Sequence, residues 1–233
     1  MTVDTTHAEQ QILLVTNFED LVGTPFSGVI NAIGWTRELA GDFAEIVHKI
    51  EATENITTVD EEELLALTLS EAGQLARATI LHDLQLLEAQ GAAPVLNVIH
   101  YYDQDESDPF FPTDVYSWHV DRAPIPTATF LCTYYGASSD VLPNSKGTQK
   151  ILIPAIRQEL RKRYDGPEEG FDAFLREHFF DLHYAAAAGA QPVNLGLGNL
   201  WRLAVDHPDS PVPPSLHRAP RENAGEPRLL LIC

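Results

Sequence analysis

The sequence predicts an α+β protein with helices first, then a strand-rich body interrupted by a helical insertion. Three observations carry this. Apolar residues recur at helical spacing through the first 90 residues. After Pro94 the chain turns to β-branched and aromatic runs such as Val95–Tyr102 and Ala128–Tyr135. The charge divides in the same way: residues 1–110 hold 3 cations and 20 carboxylates, residues 111–233 hold 12 and 14.

Taken in order, the first ten residues read as frayed and Gln11–Thr16 as a short strand. Gly23–Gly34 is turn-rich. Leu39, Phe43, Val47 and Ile50 predict a helix over 36–50. A longer helical stretch follows over 60–90, with Thr58 and Glu61 as its capping box, an apolar stripe of Leu69, Ala72, Ala76, Ile80, Leu84 and Leu87, a break at Gly73, and a stop at Gly91 and Pro94. Strands are expected at 95–102, 115–120 and 128–135, with an acidic loop at 103–112 and turns at 136–147. Helices are expected at 151–164 and 171–188, then strands at 194–205, 215–219 and 228–232. Residues 1–94 thus form a mainly helical part packed on a body of 95–233, with a helical insertion at about 148–190.

The 233 residues are 44% hydrophobic and 21% charged, which supports a sizeable core and excludes a disordered chain. A net charge of −19 argues against general binding to nucleic acid or anionic membranes. Cys132 and Cys233 read as reduced thiols. There is no secretory leader pattern and no run of 18 apolar residues, so the expected compartment is the cytoplasm. P-loop, G-x-G-x-x-G, G-x-S-x-G and C-x-x-C patterns are absent.

Nine histidines remain. With 34 acids in the chain, about one H-x-D/E pair is expected by chance, and three occur: His7/Glu9, His119/Asp121 and His207/Asp209. His7/Glu9 sits in the frayed end and His207/Asp209 in a Pro-rich loop. His119 and Asp121 leave a strand, and His217 begins a late one. Two histidines and a carboxylate brought together on neighbouring strands would form a facial triad for non-haem Fe(II). Arg228 lies eleven positions after His217. The Arg221–Glu226 turn predicts a hairpin joining their strands, and Arg228 alternates with Leu230 and Ile232 on one face. A guanidinium there suits a carboxylate ligand.

His119-x-Asp121, His217 and Arg228 resemble the H-x-D…H-x10-R signature of the Fe(II)/2-oxoglutarate-dependent dioxygenases, over roughly residues 95–233. Around WHVD…LCTYYG and LHR-P…RLLL the chain also resembles a little-characterised bacterial domain family. The dioxygenase resemblance implies a double-stranded β-helix (jelly roll) core with iron on His119, Asp121 and His217. It implies Arg228 on the distal carboxylate of the cosubstrate 2-oxoglutarate, with O2 as oxidant and a small-molecule substrate. The intact Asp121 implies hydroxylation or desaturation rather than halogenation. The 98 residues from His119 to His217 are long for this superfamily, and the helical insertion accounts for the excess. Two alternatives stand beside it: a cupin-like metal enzyme that does not use 2-oxoglutarate, and a non-catalytic acidic interaction module.

Other residues read more plainly. His178 and His183 are five apart on an expected helix and read as structural. His100 is a candidate cavity residue, and Asn199, Thr133 and Tyr135 are candidate cosubstrate contacts. Trp118 and Trp201 read as core, Cys132 as an inert buried thiol, and the basic 157–163 segment as a solvated helix face.

Overall fold

The computed structural model describes residues 11–52, 54–104 and 110–233. His7, Glu9 and the rest of the first ten residues lie outside these, as does much of the expected acidic loop.

Two sheets form the frame. The seven-stranded sheet contains β1 (Ile12–Val15), β2 (Ala32–Trp35), β3 (Ile56–Val59), β4 (Val95–Ile99), β6 (Ala128–Tyr135), β11 (Leu200–Ala204) and β13 (Arg228–Ile232), ordered β1-β2-β11-β6-β13-β4-β3. The six-stranded sheet contains β5 (Trp118–His119), β7 (Asp140–Val141), β8 (Gly147–Gln149), β9 (His183–Ala186), β10 (Val193–Asn194) and β12 (His217–Arg218), ordered β10-β7-β12-β5-β9-β8. Among the named strands of the described residues, β1 and β2 pair in parallel and the other pairings are antiparallel. The architecture is α+β, with two antiparallel-rich sheets as in a β-sandwich.

Strand alternation sorts the core into two layers. Cys132, Tyr134, Leu229 and Leu231 point outward, beneath α2 (Phe43–Lys49) and α4 (Glu71–Ala89), whose Phe43, Ile46, Ala76, Ile80 and Leu87 are buried there. Leu131 and Leu230 point inward and meet Val141 and Leu195 of the other sheet's side, with Trp201 and Leu203. The first 94 residues therefore cover one face with helices and also supply three strands, β1, β2 and β3, at the sheet's two edges. No helix of the described residues is long and apolar enough to cross a membrane.

The helix ends differ from the expectation in ways that trace to capping. Residues 36–42 are irregular, because Asp42 starts α2 by accepting from the Glu45 amide at 2.9 Å. Thr58 is no cap: it lies in β3 and donates to Asn97, while Asp60 caps α3 (Glu61–Ala66). The break in the long stretch falls at 67–70, where Ser70 caps α4, and Gly73 lies inside the first turn. A Cβ on Gly73 would stand 2.2 Å from Glu45 Oε2, so the glycine leaves room for the Glu45 carboxylate over the start of α4. The stop at Gly91 is a Schellman motif: φ is +81°, and the Gly91 and Ala92 amides reach Glu88 and Leu87 carbonyls. α1 (Phe18–Gly23) ends where the expected turn-rich segment Gly23–Gly34 begins, and β2 starts inside that segment at Ala32.

Two expectations fail in the second half. The 171–188 segment is not one helix. α6 (Phe171–Glu177) ends at Phe179, which takes a left-handed φ of 58°, and His183–Ala186 then pairs with β5 and β8 as β9. Sheet pairing overrides the helical preference of the alanines. The helical insertion consequently spans 150–182, between β8 and β9, with α5 (Pro154–Arg161) and α6 packed on Phe111, Ile151 and Leu160. Nor do β12 and β13 form a hairpin. β12 pairs with β5 and β7, and β13 pairs with β4 and β6. The turn at Asn223–Glu226 carries the chain from one sheet to the other, after Pro220 has ended the short β12.

Candidate metal centre

His119, Asp121 and His217 converge. One ligand atom from each lies within 4.8 Å of the others. His119 and His217 are direct register partners across β5 and β12, which sets their rings 4.5 Å apart. Asp121 follows β5, and its Oδ2 lies 3.5 Å from His217 Nε2. Metal bonds of about 2.0–2.2 Å at right angles place neighbouring donors about 3 Å apart, so the set closes on an ion with small movement.

The surroundings prepare the donors. His119 Nδ1 lies 2.8 Å from the Ser117 carbonyl, and His217 Nδ1 lies 3.1 Å from the Ser215 carbonyl. A carbonyl only accepts, so each Nδ1 carries the proton and each Nε2 lone pair is left for a metal. Burial, then the neighbouring His217, pushes the His119 pKa down to about 4, which keeps its imidazole neutral. Burial alone would raise the Asp121 carboxyl. The His217 ring, a hydrogen bond from Thr129 and the His119 ring outweigh it and lower the pKa. Arg122, next in the chain, clamps the same loop between Asp181 and Asp206.

Arg228 is fully buried. It shares the inward face of β13 with Leu230, which packs in one cluster with Val141, the register partner of His217. The guanidinium therefore lies on the face of β13 turned toward the six-stranded sheet, on the side where Leu230 meets Val141. Nη2 donates to Thr133 Oγ1 at 3.1 Å and Ser139 Oγ at 2.9 Å, and Tyr102 OH lies 3.5 Å from Nη1. Nε is buried without a partner, and Arg228 makes no ion pair among the described residues. Burial lowers its pKa, against the pull of Tyr102 and Glu222. A buried cation whose hydrogen bonds among the described residues go to hydroxyls is costly to bury and suits an anionic ligand.

Of the other expected contacts, Thr133 alone reaches Arg228. Asn199 braces a turn, accepting from the Arg37 amide, and Tyr135 lies on the outer face near His48. His100 is exposed. His178 is exposed against Phe174, while His183 is buried beside His119 with ring centroids 6.0 Å apart. Sequence reasoning missed His183 because its segment reads as helix. Trp201 is core, and burial pushes the Cys132 thiol up to about 12, consistent with an inert group. Arg157, Arg161 and Lys162 pair with acids on the insertion's surface. A cleft of about 700 Å³ beside Phe26, Phe130 and Arg202 is lined by none of the triad.

No family model matches the chain, and no curated protein or solved structure shows a significant similarity to it.

Proposed function

We propose that this protein is an Fe(II)/2-oxoglutarate-dependent oxygenase that hydroxylates or desaturates a small molecule. The observation that carries this is the convergence of His119, Asp121 and His217 with both Nε2 atoms left free. A histidine–carboxylate–histidine set is the donor chemistry that Fe(II) oxygenases use.

Two further observations support it. The strands β4, β5, β6, β7, β10, β11, β12 and β13, counted one to eight, are ordered 6-3-8-1 in one sheet and 5-4-7-2 in the other, antiparallel throughout. That is the winding of a double-stranded β-helix, so the order favours the jelly-roll reading. Arg228, buried with no ion pair among the described residues, fits a cosubstrate that brings its own carboxylate.

When bound, Fe(II) with 2-oxoglutarate and O2 supplies the oxidising chemistry, and 2-oxoglutarate leaves as succinate and CO2. The chain's own residues bind and orient. His119 and His217 would hold the ion through Nε2 and Asp121 through its carboxylate, with Thr129 steadying that carboxylate. Arg228 would fix the distal carboxylate of 2-oxoglutarate, backed by Thr133 and Ser139. The apolar layer around Leu131, Trp201 and Leu230 keeps the space between the sheets dry.

The test is Fe(II) uptake by anaerobic calorimetry, together with succinate formation from 2-oxoglutarate and O2 followed by NMR. One ion should bind per chain, and His119→Ala, Asp121→Ala and His217→Ala should each weaken uptake about a hundredfold or more. Protein that takes up no Fe(II) and forms no succinate refutes the proposal.

A further inference from the structure

A row of inward side chains crosses the six-stranded sheet at one level. Val141, His217, His119 and His183 are successive register partners over β7, β12, β5 and β9. On β8 Gln149 pairs with Tyr184, beside His183, and Lys150 follows as the first residue of the insertion. Directly opposed residues share a face, so the row continues from the triad to His183, and Lys150 reaches its end through Phe111, which stands against His183.

The far end of this row is built. His183 Nδ1 lies 2.7 Å from Ser117 Oγ, and that hydroxyl donates to the Asp114 carbonyl at 2.8 Å. A hydroxyl has one proton, so it accepts from His183 Nδ1–H, which leaves Nε2 as an acceptor. Phe111 stands edge-on to His183 and packs on Phe180, at ring distances of 6.1 and 4.8 Å. The Lys150 ammonium lies 4.8 Å over the Phe111 ring. Lys150 is half-buried and forms no ion pair among the described residues. Burial lowers its pKa, and the acid acting on it through space, Asp114, has its Oδ1 taken by the Tyr116 and Ser117 amides. The aromatic ring packs the ammonium without neutralising it.

We propose that Lys150 and His183, on the wall of Phe111 and Phe180, form the substrate-recognition end of the site and take a small molecule with one carboxylate. The reaction at the other end rests on the oxygenase proposal; the binding does not. His183 lies one strand spacing, about 4.8 Å, from His119, and Lys150 stands over the Phe111 ring that meets His183, so a carboxylate on Lys150 brings the substrate body toward His119. One cation with Asp114 nearby suits a monoanion better than a phosphate dianion. His183 Nε2 is placed to accept from a hydroxyl or amine of the same molecule.

The test uses 4-fluorophenylacetate and its neutral amide as probes, followed by fluorine NMR on the full chain, metal-free and loaded with Co(II). The acid should bind about tenfold tighter than the amide or better. Lys150→Gln should abolish that preference, Lys150→Arg should retain it, and Co(II) should speed fluorine relaxation of the bound acid. Equal binding of acid and amide, no saturable binding of the acid, or an unchanged preference in Lys150→Gln overturns the proposal. So does loss of the preference in Arg228→Met, which would place the anion at Arg228 instead. If Lys150→Gln does not fold, the acid–amide comparison and Lys150→Arg still decide. Failure to load Co(II) counts against the oxygenase proposal alone, since the preference is also read without metal.

Discussion

Replacing Arg228 by Met separates stability from ligand binding. In the wild-type fold the guanidinium is fully buried, makes two good hydrogen bonds to hydroxyls, and leaves Nε unpaired. Methionine removes the desolvated charge and fills similar space, so the ligand-free variant should match or exceed wild type in stability. Ligand binding should behave oppositely. Two charge-assisted bonds to a carboxylate contribute roughly 3 kcal/mol after desolvation, about a hundredfold in affinity. At 2-oxoglutarate about 100 times the wild-type Kd, linkage stabilises wild type by about 2.7 kcal/mol, or roughly 5–11 °C in Tm for a chain of this length. The same concentration only about equals the variant's Kd, giving about 0.4 kcal/mol, or roughly 1 °C. Thermal unfolding followed by circular dichroism, with and without 2-oxoglutarate, reads both. A variant that keeps the wild-type ligand shift refutes the role of Arg228. A variant that is several degrees less stable without ligand refutes the view of a poorly compensated buried charge.

Three other outcomes are expected. Burial, then His119 and Lys150, holds the His183 pKa down at about 3, so folded protein favours its neutral form. Its stabilising contribution is whole above the ordinary value near 6.5 and is lost as pH falls below it; the stability gap between wild type and His183→Gln in urea titrations should narrow by about 3 kcal/mol from pH 6.5 to 4. Asp83 is buried in α4, takes both Arg37 Nη groups and accepts from Tyr134 at 2.6 Å. Asp83→Ala should cost about 3–5 kcal/mol by denaturant unfolding, and a cost under about 1 kcal/mol would show that the network is not a buried ion pair of consequence. Gly91→Ala forces a side chain into φ +81° and should lower stability by about 1 kcal/mol, with Gly91→Asn losing less.

Much of the fold was legible where local chemistry and periodicity agreed. Ala128–Tyr135 and Arg228–Ile232 are strands with the bounds that their β-rich composition suggests. Gly91 ends α4 because an αL cap is a local requirement. The apolar positions Ala76, Ile80 and Leu87 are buried as the helical period requires, and Asp83 joins them only because Arg37 arrives from elsewhere to pair with it. The Ala-rich run after His183 points to helix by propensity, and pairing with β5 and β8 makes it strand.

The sequence by itself determined the chemical types at the site. Two histidines, one aspartate and one arginine, at spacings suited to strand ends, were visible without coordinates. Which groups stand beside them was decided by tertiary structure alone. His217 meets His119 because β12 pairs with β5, and Arg228 comes from the opposite sheet rather than from a hairpin partner. His183 joins the row through register across strands that sequence could not pair, and Lys150 follows β8 where the insertion begins. The physical reason is that side-chain chemistry and short-range periodicity are local, while strand pairing and sheet membership are set by contacts among residues a hundred positions apart.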